Sequence, residues 1–347
     1  MKFTAVQMIG TQRSGSNLLR LMLNQLKEVS APHPPHILER FIPLLPAYGD
    51  LNVIKNFGSL VHDVCSLVAY NPVQWKHFNL KENEIIERCE NRTLTNIVKV
   101  IYEMNAEKEG MRIWICKSLS NIHFTALLEK EIKPFYIFLY RDGRDVACSF
   151  KRAVVGEKHV YHIAKQWQQE QDLCLALIKK LGTKRVVKVC YEELISQPEK
   201  ELTKICDFIG AKYIPSCLEY YTSAEAKNTA SSGKMWKNVE QEIITGNYDN
   251  YKKELDANEI MLFEKVAGQT LQSLGYKLNF SHQNDKELLI AEIEMFDEVN
   301  ESLKQKAKQE QKPEDAQKRM MQEALLNNIR RRLNSDVNYT AYKKIAV

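Results

Sequence analysis

Short apolar runs alternate with longer stretches of helical periodicity along most of the chain. The apolar runs are residues 3–9, 112–116, 135–140 and 185–190. Runs of this length are typical of strands buried on both faces of a parallel sheet. Apolar residues recur at helical spacing at residues 18–26, 162–181 and 199–209. Strands that alternate with helices predict an α/β fold in which helices flank a parallel sheet.

The pattern changes after about residue 280. The chain from residue 285 onward is rich in Lys, Glu and Gln, and its apolar residues recur at helical spacing on both sides of Pro313. This predicts a main domain at residues 1–280 and a charged helical tail at residues 281–347, in two segments broken near Pro313. The tail is either a solvated appendage or a docking or dimerisation element, and in the second case the chain forms a homo-oligomer through its C-terminal helices.

Composition narrows the class of protein. The 347 residues are 44% hydrophobic, enough for a substantial core, and 49 Lys and Arg against 44 Asp and Glu give a net charge of +5. That charge suits an anionic small ligand and is too weak to indicate nucleic-acid binding. The eight cysteines form no CxxC pair, and several lie in apolar runs, as buried reduced thiols do. With no signal-peptide pattern and no apolar run long enough to span a membrane, we expect a cytoplasmic protein without a transmembrane segment.

The loop at residues 10–17 has the composition of an anion site. It leads from a predicted strand into a predicted helix, whose first-turn N–H groups and dipole favour negative charge. Gly15 allows close backbone approach, and Arg13 brings a permanent charge with a fork of donors. The neighbouring polar residues are Ser14, Ser16 and Asn17.

The spacing of Gly10 and Gly15 matches that of a P-loop, but the two residues that follow do not. A P-loop has Lys and then Ser or Thr, whereas this chain has Ser16 and Asn17. The loop therefore suits a phosphate better than a metal–triphosphate. A structural turn capped by Ser14 is the alternative.

A second anion site is predicted where the apolar run 135–140 ends. Arg141 leaves the carboxyl end of this strand, the edge at which open α/β sheets bind ligands. Asp142 and Gly143 indicate a turn, and Ser149 lies about two helical turns further on. A helix that folds back can therefore direct Arg141 and Ser149 at one phosphate.

Two other interpretations of this segment remain open. In the first, Arg141 and Arg144 form ion pairs with Asp142 and Asp145 on the surface. In the second, Asp142 is a metal-binding acid, which is disfavoured because an arginine follows the apolar run directly.

Taken together, residues 12–17 and 140–149 resemble the two motifs of the sulfotransferases that use 3′-phosphoadenosine-5′-phosphosulfate (PAPS). The resemblance implies a P-loop-like three-layer fold in which the first loop binds the 5′-phosphosulfate, while Arg141 and Ser149 bind the 3′-phosphate. It extends over residues 1–277. Residues 189–194 resemble the family's strand whose tyrosine, here Tyr191, meets the adenine. Residues 232–237, with Lys234 and Trp236, resemble its late basic loop that closes over the nucleotide.

The resemblance also implies a catalytic lysine and a base. Lys117 matches the family's lysine that stabilises the departing phosphate or the transferring sulfuryl group. Many cytosolic members carry a histidine base two residues later, but this chain has Leu119 there. That histidine base therefore has no counterpart at this position.

Another branch of the family, the protein-tyrosine sulfotransferases, places a carboxylate base just beyond the first helix. The matching segment here is residues 30–39, where prolines stiffen the backbone around two histidines. We predict His33 as the base and His36 as a substrate contact or alternate base. Glu39 is the third candidate, and His123 is a weaker one.

These residues predict in-line transfer of a sulfuryl group from PAPS to a hydroxyl of a small-molecule or carbohydrate acceptor. No carboxylate or histidine cluster has metal-ligand spacing, so no metal is expected. Residues 37–110 are expected to form much of the acceptor pocket. The alternatives are a P-loop small-molecule kinase or nucleotide hydrolase, and a non-catalytic nucleotide-binding interaction protein whose tail carries the function.

Overall fold

Five strands form one parallel sheet in the part of the chain that the computed structural model describes, residues 2–76, 79–280, 288–311 and 313–335. The strands are β1 (Thr4–Ile9), β2 (Val29–Ser30), β3 (Ile113–Cys116), β4 (Phe135–Tyr140) and β5 (Val186–Cys190). Their order across the sheet is β2-β3-β1-β4-β5, and every neighbouring pair is parallel. The predicted fold class is confirmed. Strand β2 was not predicted, since two residues carry no periodicity.

Helices flank the sheet. The α-helices are α1 (Ser16–Leu23), α2 (Ile37–Phe41), α3 (Ile54–Ala69), α4 (Glu82–Arg88), α5 (Leu94–Lys108), α6 (Thr125–Glu131), α7 (Gly143–Arg152), α8 (Val160–Leu181), α9 (Tyr191–Ser196), α10 (Pro198–Ile209), α11 (Ala224–Ser231), α12 (Tyr251–Glu254), α13 (Ala257–Ser273), α14 (Ile290–Gln309) and α15 (Pro313–Ser335). The 3₁₀ helices are Ile42–Tyr48, Leu119–Phe124, Pro215–Thr222 and Lys234–Glu240. Among the described residues, no helix has the length and apolar character needed to cross a membrane.

The four longer strands of the sheet serve two hydrophobic cores, because successive side chains of a strand point to opposite faces. In β3, Trp114 packs into one core, whereas its neighbours Ile113 and Ile115 pack into the other. In β4, Phe138 and Ile137 divide in the same way. Burial on both faces explains why these strands read as continuous apolar runs rather than as alternating ones.

The parallel arrangement brings the ends of four strands to the same edge of the sheet. Gly10 follows β1, Lys117 follows β3, Arg141 follows β4 and Tyr191 follows β5. Residues far apart in the sequence therefore meet at the edge where open α/β sheets bind ligands.

Both tail helices contact the rest of the chain. On α14, the buried Asn300 side chain accepts hydrogen bonds from the backbone N–H groups of Lys158 (2.9 Å) and His159 (3.0 Å). On α15, Leu326 and Ile329 are buried in a core that also contains residues of α3. The helices thus dock within one chain, while the boundary between residues 1–280 and 281–347 and the homo-oligomer stay predictions.

Candidate active site

The first loop, between β1 and α1, adopts a backbone that its glycines make possible. Gly10 has φ 133° and Gly15 has φ 85°, a region that favours glycine. A Cβ on Gly10 would lie 2.1 Å from the carbonyl oxygen of Leu139, and one on Gly15 would lie 2.4 Å from the ring of Tyr191. The loop therefore packs closely against the ends of both β4 and β5.

The two predicted anion loops touch each other. Arg13, itself at φ 72°, donates from Nε to the Oγ of Ser149 on α7 over 2.9 Å. Burial, together with the charges of Arg141 and Arg152, lowers the pKa of Arg13 to about 10. Cations concentrated in this way repel one another, so the arrangement favours a bound anion.

Arg141 joins the second loop to Tyr191. Its guanidinium carbon lies 4.4 Å from the centroid of the Tyr191 ring, within the range of a cation–π contact. Its Nη2 donates to the backbone oxygen of Asn247 (2.9 Å) and lies 3.5 Å from the carboxylate of Asp145. The Asn247 side chain in turn donates to the hydroxyl of Tyr191 (2.8 Å). Asn247 was not predicted, because a single Asn in a polar loop carries no signal.

Arg144 has a different role from Arg141. It makes a bidentate ion pair with Asp142, with distances of 3.0 Å and 2.6 Å, and it lies 2.5 Å from Glu264. These groups are buried, so the ion pair is not the surface pair that one interpretation described. Asp142 is occupied by this pair and by capping the N-terminus of α7.

Lys117 lies beside the first loop. Its Nζ donates to the Oδ1 of Asn17 over 3.1 Å, and the side chain is buried. Burial lowers the pKa of Lys117 to about 7, and the charges of Arg20 and Arg13 contribute to the shift. A nearby anion would favour the protonated amine.

His33 is buried in a segment held from both sides. Its backbone oxygen accepts hydrogen bonds from the Nε1 of Trp75 (2.7 Å) and the side-chain amide of Asn71 (2.9 Å). Burial, followed by the charges of Arg20 and Lys117, holds the pKa of His33 well below its ordinary value. Its Nε2 has no hydrogen-bond partner among the described residues. Its Nδ1 lies 3.4 Å from the side-chain amide nitrogen of Asn71. A neutral imidazole has one ring nitrogen without a proton and can therefore accept one.

His36 lies three residues further on, with a left-handed backbone at φ 57°. Its Nδ1 lies 3.5 Å from the carboxylate of Glu39, which also accepts a hydrogen bond from Ser120 (2.6 Å). Burial holds the pKa of His36 well below its ordinary value, and the charges of Lys117, Arg40 and Arg319 act in the same direction. His123 differs, because its interaction with Glu170, 3.9 Å away, raises its pKa.

Trp236 contacts the predicted base. The rings of Trp236 and His33 meet edge to face, with centroids 5.7 Å apart and an interplanar angle of 70°. The guanidinium of Arg319 on α15 lies 5.7 Å from the centroid of the Trp236 ring. Lys234 lies in the same 3₁₀ helix, but its side chain is outside the described part of the structure.

Arg20 is a site residue that sequence reasoning missed. It is fully buried, and it donates to the backbone oxygen of Ala31 (2.8 Å), pairs with Glu225 and donates to Thr229 (3.2 Å). It therefore ties the segment that carries His33 to α11. Its signal was an arginine flanked by leucines on the apolar side of a helix.

The polar groups that could hold a ligand at this edge are mainly cations and N–H donors. Ser14 is fully buried, and its Oγ has no hydrogen-bond partner among the described residues. Ser16 begins α1, so its backbone N–H belongs to the first turn. Within the same described ranges, no group of three or more His, Cys, Asp or Glu could hold a metal ion. The arrangement can bind a polyanion beside a neutral imidazole.

The chain resembles known proteins in sequence and in fold. The model of a family described as the sulfotransferase family matches residues 6–215. The sulfotransferase domain from the Synechococcus PCC 7002 olefin synthase is 21% identical, with a TM-score of 0.51 over 80% of this chain and 97% of that one. The sulfotransferase domain from the curacin biosynthetic pathway is 19% identical, with a TM-score of 0.51 over 80% and 99%. At these identities the likeness shows the fold alone. No curated protein sequence matches the chain.

Proposed function

Because the chain belongs to the sulfotransferase family, we propose that it transfers a sulfuryl group from PAPS to a hydroxyl of a small-molecule or carbohydrate acceptor. The observation that carries this proposal is the 2.9 Å hydrogen bond between Arg13 and Ser149. Arg13 and Ser149 belong to the two motifs of the family resemblance. The resemblance implies that one motif binds the 5′ end of the nucleotide and the other binds its 3′-phosphate. A ligand that bears phosphate at both ends can contact both loops at once.

The residues present fit PAPS. Ser14 Oγ and Arg141 Nε are buried and have no hydrogen-bond partner among the described residues, so each can donate to a phosphate oxygen. Arg13, Arg141 and Lys117 supply the positive charge. Tyr191 presents a ring at the end of β5 for the adenine, and Gly15 leaves the space that this ring needs.

PAPS supplies an activated sulfuryl group that carries less negative charge than a terminal phosphoryl group. In-line transfer of such a group depends mainly on positioning and on electrostatic stabilisation. Lys117 stabilises the charge that develops on the departing phosphate. His33 accepts the proton of the acceptor hydroxyl, and His36 contacts the acceptor or serves as the alternate base.

The test has two parts. Calorimetry should show that 3′,5′-adenosine bisphosphate binds strongly to the chain, whereas ATP with Mg²⁺ does not. A mass-spectrometric screen of alcohols and carbohydrates with PAPS should then find a product heavier by one sulfuryl group. Preferential binding of ATP with Mg²⁺ would instead support a kinase or nucleotide hydrolase. Nucleotide binding without any transfer would support a non-catalytic interaction protein.

A further inference from the structure

The helix α15 lies against the segments that surround the catalytic histidines. Its Gln322 is buried, and it joins two of them by donating to the backbone oxygen of Leu67 on α3 (2.9 Å) and accepting from Arg40 on α2 (2.7 Å). One turn and two turns further on, Leu326 and Ile329 enter the core. This half of the helix is therefore anchored rather than loosely attached.

The other half of α15 reaches the late loop of the site. Lys318 donates to the backbone oxygen of Ser231, at the end of α11. The neighbouring Arg319 places its guanidinium 5.7 Å from the centroid of the Trp236 ring. A cation at this distance is attracted to the face of an indole. The helix thus holds both the start of the loop and its tryptophan.

Trp236, which Arg319 contacts, also contacts the predicted base. Its ring lies edge to face with that of His33, 5.7 Å between centroids. The His33 ring lies between the edge-on indole of Trp236 and the side-chain amide nitrogen of Asn71, which is 3.4 Å from Nδ1, so the position of Trp236 affects the orientation of the imidazole.

Arg319 also acts through its charge. It is one of the cations, with Lys117 and Arg40, whose charges lower the pKa of His36, while the carboxylate of Glu39 lies 3.5 Å from the ring. His33 faces Arg20, Lys117 and His36. A positive charge at residue 319 therefore favours the neutral form of the His36 imidazole.

We propose that α15 forms a wall of the catalytic site and that Arg319 is a positioning residue, which holds the Trp236 ring against His33. This inference rests on the proposed role of His33 as the base. It makes the tail a part of the site rather than an appendage to it.

The first experiment measures turnover of the full chain with PAPS and an acceptor found in the mass-spectrometric screen. Arg319→Ala should lower kcat about fivefold, a larger change than in the KM for PAPS. Arg319→Lys keeps a cation over the indole and should recover most of the loss. Arg330→Ala is the matched control, since Arg330 is on the same helix and donates a hydrogen bond to Asn327 within that helix (2.8 Å). It should behave as the wild type.

A second readout needs no acceptor. Nitrogen-15 NMR titration of the histidine rings, assigned with His33→Gln and His36→Gln, reports each ring pKa in the free protein. Arg319→Ala should raise the pKa of His36 towards its ordinary value, and Arg330→Ala should not. If Arg319→Ala does not fold, Arg319→Gln, which keeps the length without the charge, replaces it in both experiments.

The inference is overturned if the folded Arg319 variant keeps both the wild-type kcat and the wild-type ring pKa of His36. Failure of the proposed function gives a different result. In that case the wild type transfers nothing to any acceptor, while the ring titration still reports whether Arg319 acts on His36.

Discussion

The nucleotide side and the histidine side of the site are built in different ways. On the nucleotide side, Gly10, Arg141 and Tyr191 each follow a strand directly, and the sheet sets their positions. On the histidine side, His33 lies between β2 and α2, Trp236 belongs to a 3₁₀ helix, and Arg319 comes from the tail. The first side depends on backbone geometry, which a parallel sheet imposes, and the second on side-chain contacts between distant segments. Substitutions on the two sides should therefore have separable effects.

The largest effect is expected from removing the proposed base. His33→Ala should lower kcat about a hundredfold to a thousandfold, because general base catalysis contributes roughly that much. Its affinity for 3′,5′-adenosine bisphosphate should stay at the wild-type value, since His33 lies on the histidine side.

The matched variant is His36→Ala, which should lower kcat about tenfold if His36 only contacts the acceptor. Single-turnover kinetics at saturating PAPS measures both variants. If His33→Ala kept the wild-type turnover, His33 would not be the base, and His36 or Glu39 would take its place in the account.

The next effect is on nucleotide affinity. Arg13→Ala removes a charge-assisted donor from the contact between the two loops, and it should weaken binding of 3′,5′-adenosine bisphosphate about tenfold to a hundredfold. Arg112→Ala is the control, because Arg112 precedes β3 and so lies at the opposite edge of the sheet. Calorimetry measures both. Equal losses in the two variants would mean that the effect is one of general charge, not of this site.

A smaller effect is expected from Gly15→Ala. The added Cβ would meet the Tyr191 ring at 2.4 Å on a backbone at φ 85°, so loop and ring must move apart. Nucleotide affinity should fall about tenfold. The double variant Gly15→Ala/Tyr191→Ala should lose less than the sum of the two single variants, since they share one contact. Fully additive losses would show that the ring and the loop act independently.

The smallest signal is proton uptake on binding. The pKa of Lys117 is about 7 in the free protein, so at pH 8 its amine is mostly neutral. A bound anion raises the pKa of Lys117, so the amine becomes protonated when the nucleotide binds. Binding should therefore take up about one proton per protein chain. Calorimetry in two buffers of different ionisation enthalpy measures the uptake, and Lys117→Met should remove it. The same uptake in the variant would place the titrating group elsewhere.

The difference between the nucleotide side and the histidine side also explains which features could be predicted from the sequence. The four longer strands are buried on both faces, so their apolar runs are clear, and parallel strands place the residues after them at one edge. Arg13 and Ser149 could be named from their motifs, although the hydrogen bond between them could not. On the histidine side, His33 and His36 stood out between prolines, but nothing local indicated the contact of Trp236 with His33.

The tail shows the same limit. Helical periodicity predicted both of its helices and the break at Pro313, and Ile329 lies on the face that the spacing marked as apolar. Two other members of that pattern, Met320 and Met321, are about half exposed in the structure. Besides Leu326 and Ile329, docking involves single polar residues such as Asn300 and Gln322, which a periodic pattern does not distinguish from solvated ones.

The most direct test of the account is the preference for 3′,5′-adenosine bisphosphate over 5′-AMP, which lacks the 3′-phosphate. If the two loops bind opposite ends of one nucleotide, the wild type should prefer the bisphosphate by about a hundredfold in calorimetric affinity. Arg141→Ala should remove most of that preference and change the affinity for 5′-AMP little. A variant that keeps the wild-type preference would contradict the account, because Arg141 would then not bind the 3′-phosphate.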